Sequence, residues 1–490
     1  MDPNNQLVHT FNLDTEVGKD QLLSFPRFIR EKMAFGQLPG IRMEGLEALV
    51  GHAGHYVEFK AGPQRGRYDS TVRIYLTKPL RTEVWSVQGR DQEFEKQLEN
   101  VLLFSLQFFE EHVRESMIYL AFVPGSPKTA EARARRSLLK TLLSGNLMNL
   151  FLLSILVGVA VYATLSAISP ETAQVVAPIF LISFMLALSL SAGRLSSLRS
   201  PWRITKDRRD VLLVQYKVPE GQLGKFVEQN RARIVAAKKR AYDMFLACPG
   251  DACGDKIADV FLREGIPAEP KDFTVRRIDV YGMVERIARK FGISVPAIVI
   301  MQDAKPNAAA TGFTKNLATM IITMGLLVQL EDEEIELVIG HELSHLRSGD
   351  PIILFSLVAT EYLARVFVFG TMIPAVLFFP YIIFVLWAIF FFGKFLESRA
   401  DLEAGIILGK PKVMAESLKK IGFRRLVLEE RFLEPGASRF NEWLRLDAHP
   451  PMYFRIQRLE SLDIAHPPKH PFLSSVRAVT RGFINAGKVA

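Results

Sequence analysis

Gly340-His341-Glu342-Leu343-Ser344-His345-Leu346-Arg347-Ser348-Gly349-Asp350, followed directly by an apolar block from Pro351 to Gly393, is the stretch on which the fold turns. On an α-helix His341 and His345 are four residues apart and share a face, so both imidazoles can reach one metal ion. Glu342 projects beside them as a candidate base. The flanking residues support a helix. Glu331-Asp332-Glu333-Glu334 place carboxylates in a first turn, where the helix dipole favours them, and Ile335, Val338 and Ile339 continue an apolar stripe that reaches Leu346. A core helix whose two His are satisfied by hydrogen bonds would share this local pattern, so a third ligand has to decide.

Glu397 is available for that role. Phe395-Leu396-Glu397-Ser398-Arg399-Ala400-Asp401 sets two carboxylates at i and i+4 on one helical face, so Glu397 can complete a tetrahedral site with Asp401 one layer behind it. Two His and one Glu leave the fourth position of a zinc site open, as catalytic sites do and structural sites do not. Only two Cys occur, Cys248 and Cys253, and their spacing offers no second pair for a structural site. Glu403 is the rival ligand, but it points to another part of the same helix. The same segment by itself would also suit a solvated helix face. The expected cofactor is Zn2+, one per chain.

The block between the two motifs ties them together. Residues 351 to 393 are almost wholly apolar. At ~1.5 Å per residue they suffice for two crossings of a ~30 Å hydrocarbon core. Gly370 and Pro374 mark the turn, so an up-and-down hairpin returns Glu397 to the face that His341 and His345 left. Glu361 and Arg365 stand inside the first crossing at i, i+4. They read either as a mutual pair facing the bundle or as the lining of a water-filled path. Two earlier spans are expected over 147–168 and 175–193, joined by a Ser169-Pro170-Glu171-Thr172 turn without Lys or Arg. The outer flanks are basic, with Lys128, Arg133, Arg135, Arg136 and Lys140 on one side and Arg194, Arg199, Arg203, Lys206, Arg208 and Arg209 on the other. The positive-inside rule then puts both termini and the motif region in the cytosol, with the chain in the cell membrane.

Composition agrees with a membrane protein. Lys and Arg number 61 against 52 Asp and Glu, a formal charge of +9, and much of that excess lies beside the spans, where it meets anionic lipid. No nucleic-acid partner is implied. Cys248 and Cys253 are expected to be reduced. Residues 1–30 carry Asp2, Asp14, Glu16 and Asp20 and show no cleavable signal, which leaves the first span as the insertion signal. Outside the spans, a small α+β domain is expected from a strand at Leu7–Phe11, paired strands at Tyr56–Lys60 and Thr71–Thr77, a helix at Gln92–Glu115 and a strand at Met117–Phe122. A helical pattern runs from Glu220 to Ala247. His52 and His55 read as ordinary surface or core residues.

The resemblance that these motifs carry is to the HtpX-like membrane metalloproteases, a peptidase family that also contains the CAAX prenyl endopeptidases. It rests on residues 340–350, on the Glu397–Asp401 segment, on the upstream run Lys305-Pro306-Asn307-Ala308-Ala309-Ala310-Thr311-Gly312, and on the order of spans, and it covers roughly residues 147–460. The resemblance implies a gluzincin fold in which His341, His345 and Glu397 hold zinc, Glu342 activates water and Asp401 orients a ligand His. His449-Pro450-Pro451 with Arg455 is similar to a downstream motif of that family, implying that His449 and Arg455 stabilise the oxyanion. A second copy, His466-Pro467-Pro468, has Phe472 where the Arg would stand. Asn307 is implied to contact substrate backbone, and the run Ala318–Thr323 to pair with an extended substrate as an added strand. Ser398 departs from the family pattern, which usually has an aromatic there.

The resulting expectation is a mainly α integral membrane protein. It has four transmembrane helices, a cytosolic gluzincin-type α+β zinc protease domain and an extra N-terminal α+β domain. Its parts are a soluble domain over 1–125, a basic linker and two spans over 126–200, an insertion over 201–275, a protease core over 276–350, a hairpin over 351–393 and a second core segment over 394–490. Its expected partners are the lipid bilayer and protein or peptide substrates, chiefly misfolded or damaged membrane proteins in quality control. A CAAX-type maturation protease and a non-catalytic membrane scaffold are the competing readings. The first expects about seven spans, and the second has no use for Glu342.

Overall fold

The computed structural model describes residues 6–13, 15, 17, 19–30, 41–51, 54–63, 69–115, 117–124, 157–158, 160–199, 202–218, 223–247, 254–312, 318–369, 372–422 and 437–489. The chain forms two compact units. One is made of Met1–Tyr119, Gln215–Ile234 and Gly265–Phe273, and the other of Leu120–Val214, Val235–Glu264 and Thr274–Ala490.

The first unit is strand-rich. Strands β1 (Gln6–Leu13), β2 (Ile41–Gly51), β3 (Gly54–Pro63), β4 (Ser70–Tyr75) and β5 (Leu80–Ser86) form an antiparallel sheet in the order β1-β5-β4-β3-β2. Alternate residues Val57, Phe59, Val72, Ile74 and Val84 bury one face together with Leu98, Leu102, Leu106 and Phe109 of helix α1 (Gln92–Glu115). Each such side chain contributes about 1.5–3 kcal/mol by leaving water. On another face Arg73 lies over the rings of Tyr56 and Trp85 and bonds Glu58 at 2.6 Å. Strands β2 and β5 were not anticipated. The first contains Glu44, Gly45, Glu47 and Ala48, types that strands disfavour, and its register shifts between Glu44 and Glu47. Pairing with neighbours overrides local preference at β2, whereas β5 carries the strand-favouring Thr82, Val84 and Trp85.

The second unit contains the membrane-like helices and the motif region. Its sheet joins β6 (Arg203–Ile204), β7 (Ala297–Met301), β8 (Ala308–Thr311) and β9 (Thr319–Thr323) in the order β8-β9-β7-β6. β9 runs parallel to β7 and antiparallel to β8. The expectation that the 318–323 run accepts a substrate strand is therefore corrected. Both of its edges are already hydrogen-bonded, and β8 is the outer strand on that side among the described residues.

Three helices among the described residues are long and apolar enough to cross a membrane, within Pro170–Ala187, Asp350–Phe369 and Val376–Leu408. Half of the expected span over 147–168 falls outside the described residues, as do Cys248 and Cys253. Helix α2 (Pro170–Arg199) begins at Pro170, with Ser169 Oγ accepting from the Thr172 amide at 3.3 Å. The expected turn is thus shorter, and residues 170–172 are the helix's first turn.

Helix α3 (Val280–Phe291) packs on the motif helix α4 (Asp332–Ser348). A capping box between Glu331 and Glu334 opens α4, and Gly349, at φ +72°, closes it in the left-handed conformation that favours glycine. Glu334 also makes a buried 2.7 Å ion pair with Lys420 at the end of α7 (Pro411–Ile421). Asp350 starts the next helix at once. That helix, α5 (Asp350–Ala364), continues through a wider π turn at Arg365–Phe369, and the chain returns as α6, a single helix over Ala375–Leu408. Inside the hairpin Arg365 bonds Glu361 at 3.0 Å, and Tyr381 of α6 donates to the same carboxylate at 3.1 Å. A mutual pair is what forms, and an aromatic hydroxyl from the facing helix closes it.

Gly340 lets α4 and α6 meet. A Cβ there would stand 2.7 Å from Leu408 Cδ1 and 3.6 Å from Phe291 Cε2, so a side chain at this position would displace the end of the Leu408 side chain. The close crossing brings α4's His face against the polar turn of α6. The remaining helices, α8 (Ala437–Leu444), α9 (Met452–Glu460) and α10 (Pro471–Val489), complete this unit. Trp443 is fully buried beside Phe454 and Phe483.

Candidate active site

The α4–α6 crossing brings the side chains of His341, His345 and Glu397 together. One ligand atom from each lies within 4.8 Å of the others. His341 Nε2 is 3.2 Å from His345 Nε2 and 3.3 Å from Glu397 Oε2, and His345 Nε2 is 3.5 Å from Glu397 Oε1. The other nitrogen of each ring faces a carboxylate. His345 Nδ1 bonds Asp350 at 2.6 Å. His341 Nδ1 is 2.9 Å from Asp401 Oδ1, off the line of the ring N–H, so this contact is largely electrostatic. A proton held on Nδ1 in this way leaves the Nε2 lone pair of each ring free to face the shared centre.

The centre fits a cation. Glu397 Oε2 is buried without a hydrogen bond although two imidazole nitrogens flank it. Burial alone would lower the His341 imidazole, yet the Asp401 and Glu397 carboxylates push it up to about 10. A pocket that draws a proton this strongly is rich in negative charge, and a divalent ion placed among the same atoms would answer that charge. Two imidazoles and a carboxylate are a borderline-soft donor set suited to zinc.

A second layer holds these donors. Arg455, on α9, gives Asp401 a two-pronged contact with both distances 2.7 Å, and stands 4.0 Å from Glu397. The Asp401 and Glu397 carboxylates keep its guanidinium charged against the cost of burial, raising it above the ordinary arginine range. Removing one member of such a buried pair costs about 3–5 kcal/mol. Arg399 bonds Asp350 at 2.6 Å, which fixes the carboxylate that fixes His345. Glu403 accepts from Ser344 at 2.6 Å and lies outside the metal-competent group. Ser398 is small and lets Arg458 reach its hydroxyl and carbonyl.

Glu342 sits next to His341 on α4, outside the three-residue cluster, and its carboxylate accepts from the Ala310 amide of β8 at 2.8 Å. Asn307 is exposed, and its backbone is locked to Thr323 by bonds of 2.8–3.0 Å. His449 Nε2 approaches Glu397 Oε2 at 3.3 Å while its Nδ1 pairs with Asp447 at 2.9 Å. His466 is paired with Asp463 at 2.9 Å, its side chain 87% exposed. Of the two His-Pro-Pro copies, only the first is brought to the cluster.

Residues 276–463 match the sequence model of peptidase family M48. A protein named Protease HtpX from Nitrosococcus oceani is 31% identical over 210 residues, covering 36% of this chain and 69% of the relative. The chain belongs to peptidase family M48. A Protease HtpX homolog of Listeria monocytogenes is 29% identical over 222 residues, 37% of this chain and 73% of its own. One from Neisseria meningitidis is 26% identical over 247 residues, 45% of this chain and 87% of its own. The protein is thus an HtpX-type M48 membrane metalloprotease.

Sequence reasoning missed Asp350 and Lys394 around the M48 site, and it missed the contact of Arg399 with Asp350. Asp350 lies five residues after His345, across the glycine that ends α4. An acidic residue directly after a left-handed glycine, where the chain folds back on the preceding helix, could have marked it. Arg399 and Lys394 carry no such local sign, because their partners are distant in sequence.

Proposed function

We propose that this M48 protease is a zinc endopeptidase of the cell membrane that hydrolyses peptide bonds in misfolded or damaged membrane proteins. In this reading His341, His345 and Glu397 hold one zinc per chain. The observation that supports it most directly is the convergence of those three donors within 4.8 Å, with Glu342 adjacent to His341.

Bound zinc supplies Lewis acidity, which polarises the scissile carbonyl and acidifies water. Glu342 takes the proton as the water oxygen attacks the carbonyl carbon, then returns it to the amide nitrogen as the C–N bond breaks. The Ala310 amide donates to the Glu342 carboxylate at 2.8 Å and holds its orientation. β8 offers backbone groups along its outer edge to an extended substrate, and the exposed Asn307 beside it contacts the substrate backbone through its side chain. His449 donates to the developing oxyanion. Arg455, committed to Asp401, acts by holding that carboxylate and through it His341. Asp401 and Asp350 keep the two rings oriented.

The downstream pair of His-Pro-Pro copies gives a direct kinetic test. His449→Ala should lower kcat by about 10²-fold with zinc content and KM little changed, since an oxyanion donor acts in the transition state. His466→Ala should leave kcat within twofold or so. Steady-state kinetics on a quenched-fluorescent peptide separates them, and equal small effects would move the oxyanion donor elsewhere.

Orientation and substrate class are tested separately. With Cys248 and Cys253 changed to Ser, cysteines placed by Ser169→Cys or Met372→Cys should react with an impermeant maleimide outside intact cells, and those from Gln302→Cys or Asn441→Cys should not. The reverse pattern would place the active site outside the cytosol. For the quality-control role, the protein in liposomes should cleave a destabilised helical membrane protein and spare its native form. Equal cleavage of both would remove that role while leaving the peptidase.

A further inference from the structure

Lys394 of α6 is 0% exposed, and a buried ammonium costs several kcal/mol unless its donors are met. Nζ donates to the backbone carbonyls of Arg445 at 3.4 Å, Asp447, and His449 at 3.4 Å. The three carbonyls belong to alternate residues of the loop that joins α8 to α9. Three donors on one ammonium thus meet three acceptors on one loop.

A second observation concerns the same loop. A Cβ on Gly393 would lie 2.9 Å from Ala448 Cβ and 3.3 Å from Ala448 Cα, so only glycine lets the loop rest directly on the helix backbone there. Glu397 follows one turn along the same helix and faces His449 Nε2 at 3.3 Å. The His449 side chain is 47% exposed, so little packing holds it from the solvent side. Its ring is steadied by Asp447, whose Oδ1 accepts from the His449 amide at 2.9 Å and pairs with Nδ1 at 2.9 Å. The Asp447 carbonyl is in turn held by Lys394.

We propose that Gly393 and Lys394 form a seat for the 445–449 loop, making Lys394 the positioning residue that sets His449 against the metal-ligand helix. This rests on the proposed role of His449 at the oxyanion. The contacts run in series, from the Lys394 ammonium to the Asp447 backbone, from the Asp447 carboxylate to the His449 ring. The ring and Glu397 are thereby referred to one rigid helix, and a helix holds such a geometry more closely than a free loop can.

The test uses the full-length protein in detergent or nanodiscs and reads kcat, KM, zinc content and backbone hydrogen exchange. Lys394→Met should lower kcat about 10- to 100-fold, in the range of other supporting contacts around a metal site, with KM and zinc nearly unchanged. Lys394→Arg should recover part of the loss. Amide exchange across 445–449 should rise in Lys394→Met. In a His449→Ala background, Lys394→Met should change kcat by less than about twofold, because the position it sets no longer matters. Should Lys394→Met fail to fold, Gly393→Ala carries the same cycle, since it displaces the loop and keeps the lysine. Additive losses with His449→Ala, loss of zinc, or unchanged exchange across 445–449 would overturn the seat alone. A His449→Ala protein with undiminished kcat would refute the oxyanion reading and take the purpose of the seat with it.

Discussion

Glu342→Gln is expected to abolish peptide cleavage while zinc stays bound. Glu342 lies outside the cluster of possible ligands, and the proposed mechanism gives its carboxylate the part of a base and not of a donor to the metal. The substitution keeps the side chain's shape. It also keeps an oxygen that can accept from the Ala310 amide, now 2.8 Å from the carboxylate, so β8 and α4 remain joined. What disappears is the ability to take a proton from water and return it to the leaving nitrogen. Loss of a positioned general base costs about 10²–10⁴-fold, enough to bring cleavage of casein near background. Metal analysis of the purified variant completes the test. Normal cleavage would mean that the base is elsewhere, and lost zinc would mean that Glu342 is a ligand.

His341→Ala and Glu397→Ala should each lower zinc well below one per chain and remove activity with it. Each takes away one of the three proposed donors, and a two-donor site cannot compete with a chelator for the ion. The two differ in what they leave behind. Without His341, Asp401 still keeps Arg455, with both contacts at 2.7 Å, so the α6–α9 contact should survive. Without Glu397, the two imidazoles lose the carboxylate between them, and zinc should be lost while Asp350 and Asp401 still hold the rings. Inductively coupled plasma analysis after a brief chelator challenge reads both. A Glu397→Ala protein with stoichiometric zinc and normal turnover would sink this ligand assignment and return Glu403 to consideration.

Elements with a strong local period were legible from the chain. The charged first turn and apolar stripe of 331–346 mark α4, and the apolar run of 351–393 marks a hairpin, because helix periodicity and hydrocarbon thickness act over neighbouring residues. The Gln92–Glu115 helix is clear for the same reason. Strand β2 is not, since its pattern is set by cross-strand partners rather than by its own residues. β9 shows the limit in another form. Its composition announces a strand, but only the sheet order shows both edges taken.

The candidate site divides along the same line. The spacing of His341 and His345, and that of Glu397 and Asp401, follow from 3.6 residues per turn, so the sequence alone determined which atoms could share a metal and which residue could act as base. Which carboxylate faces which ring was decided by the tertiary structure, through a helix crossing at which Gly340, without a side chain, faces Leu408. Asp350 and Arg399 behind His345, Arg455 spent on Asp401, and His449 chosen over His466 follow from that packing. Their partners lie up to 54 residues away, as for Arg455 and Asp401. Periodicity reaches a few turns along one helix, and the approach of two helices depends on side-chain volumes at a contact that no single segment contains.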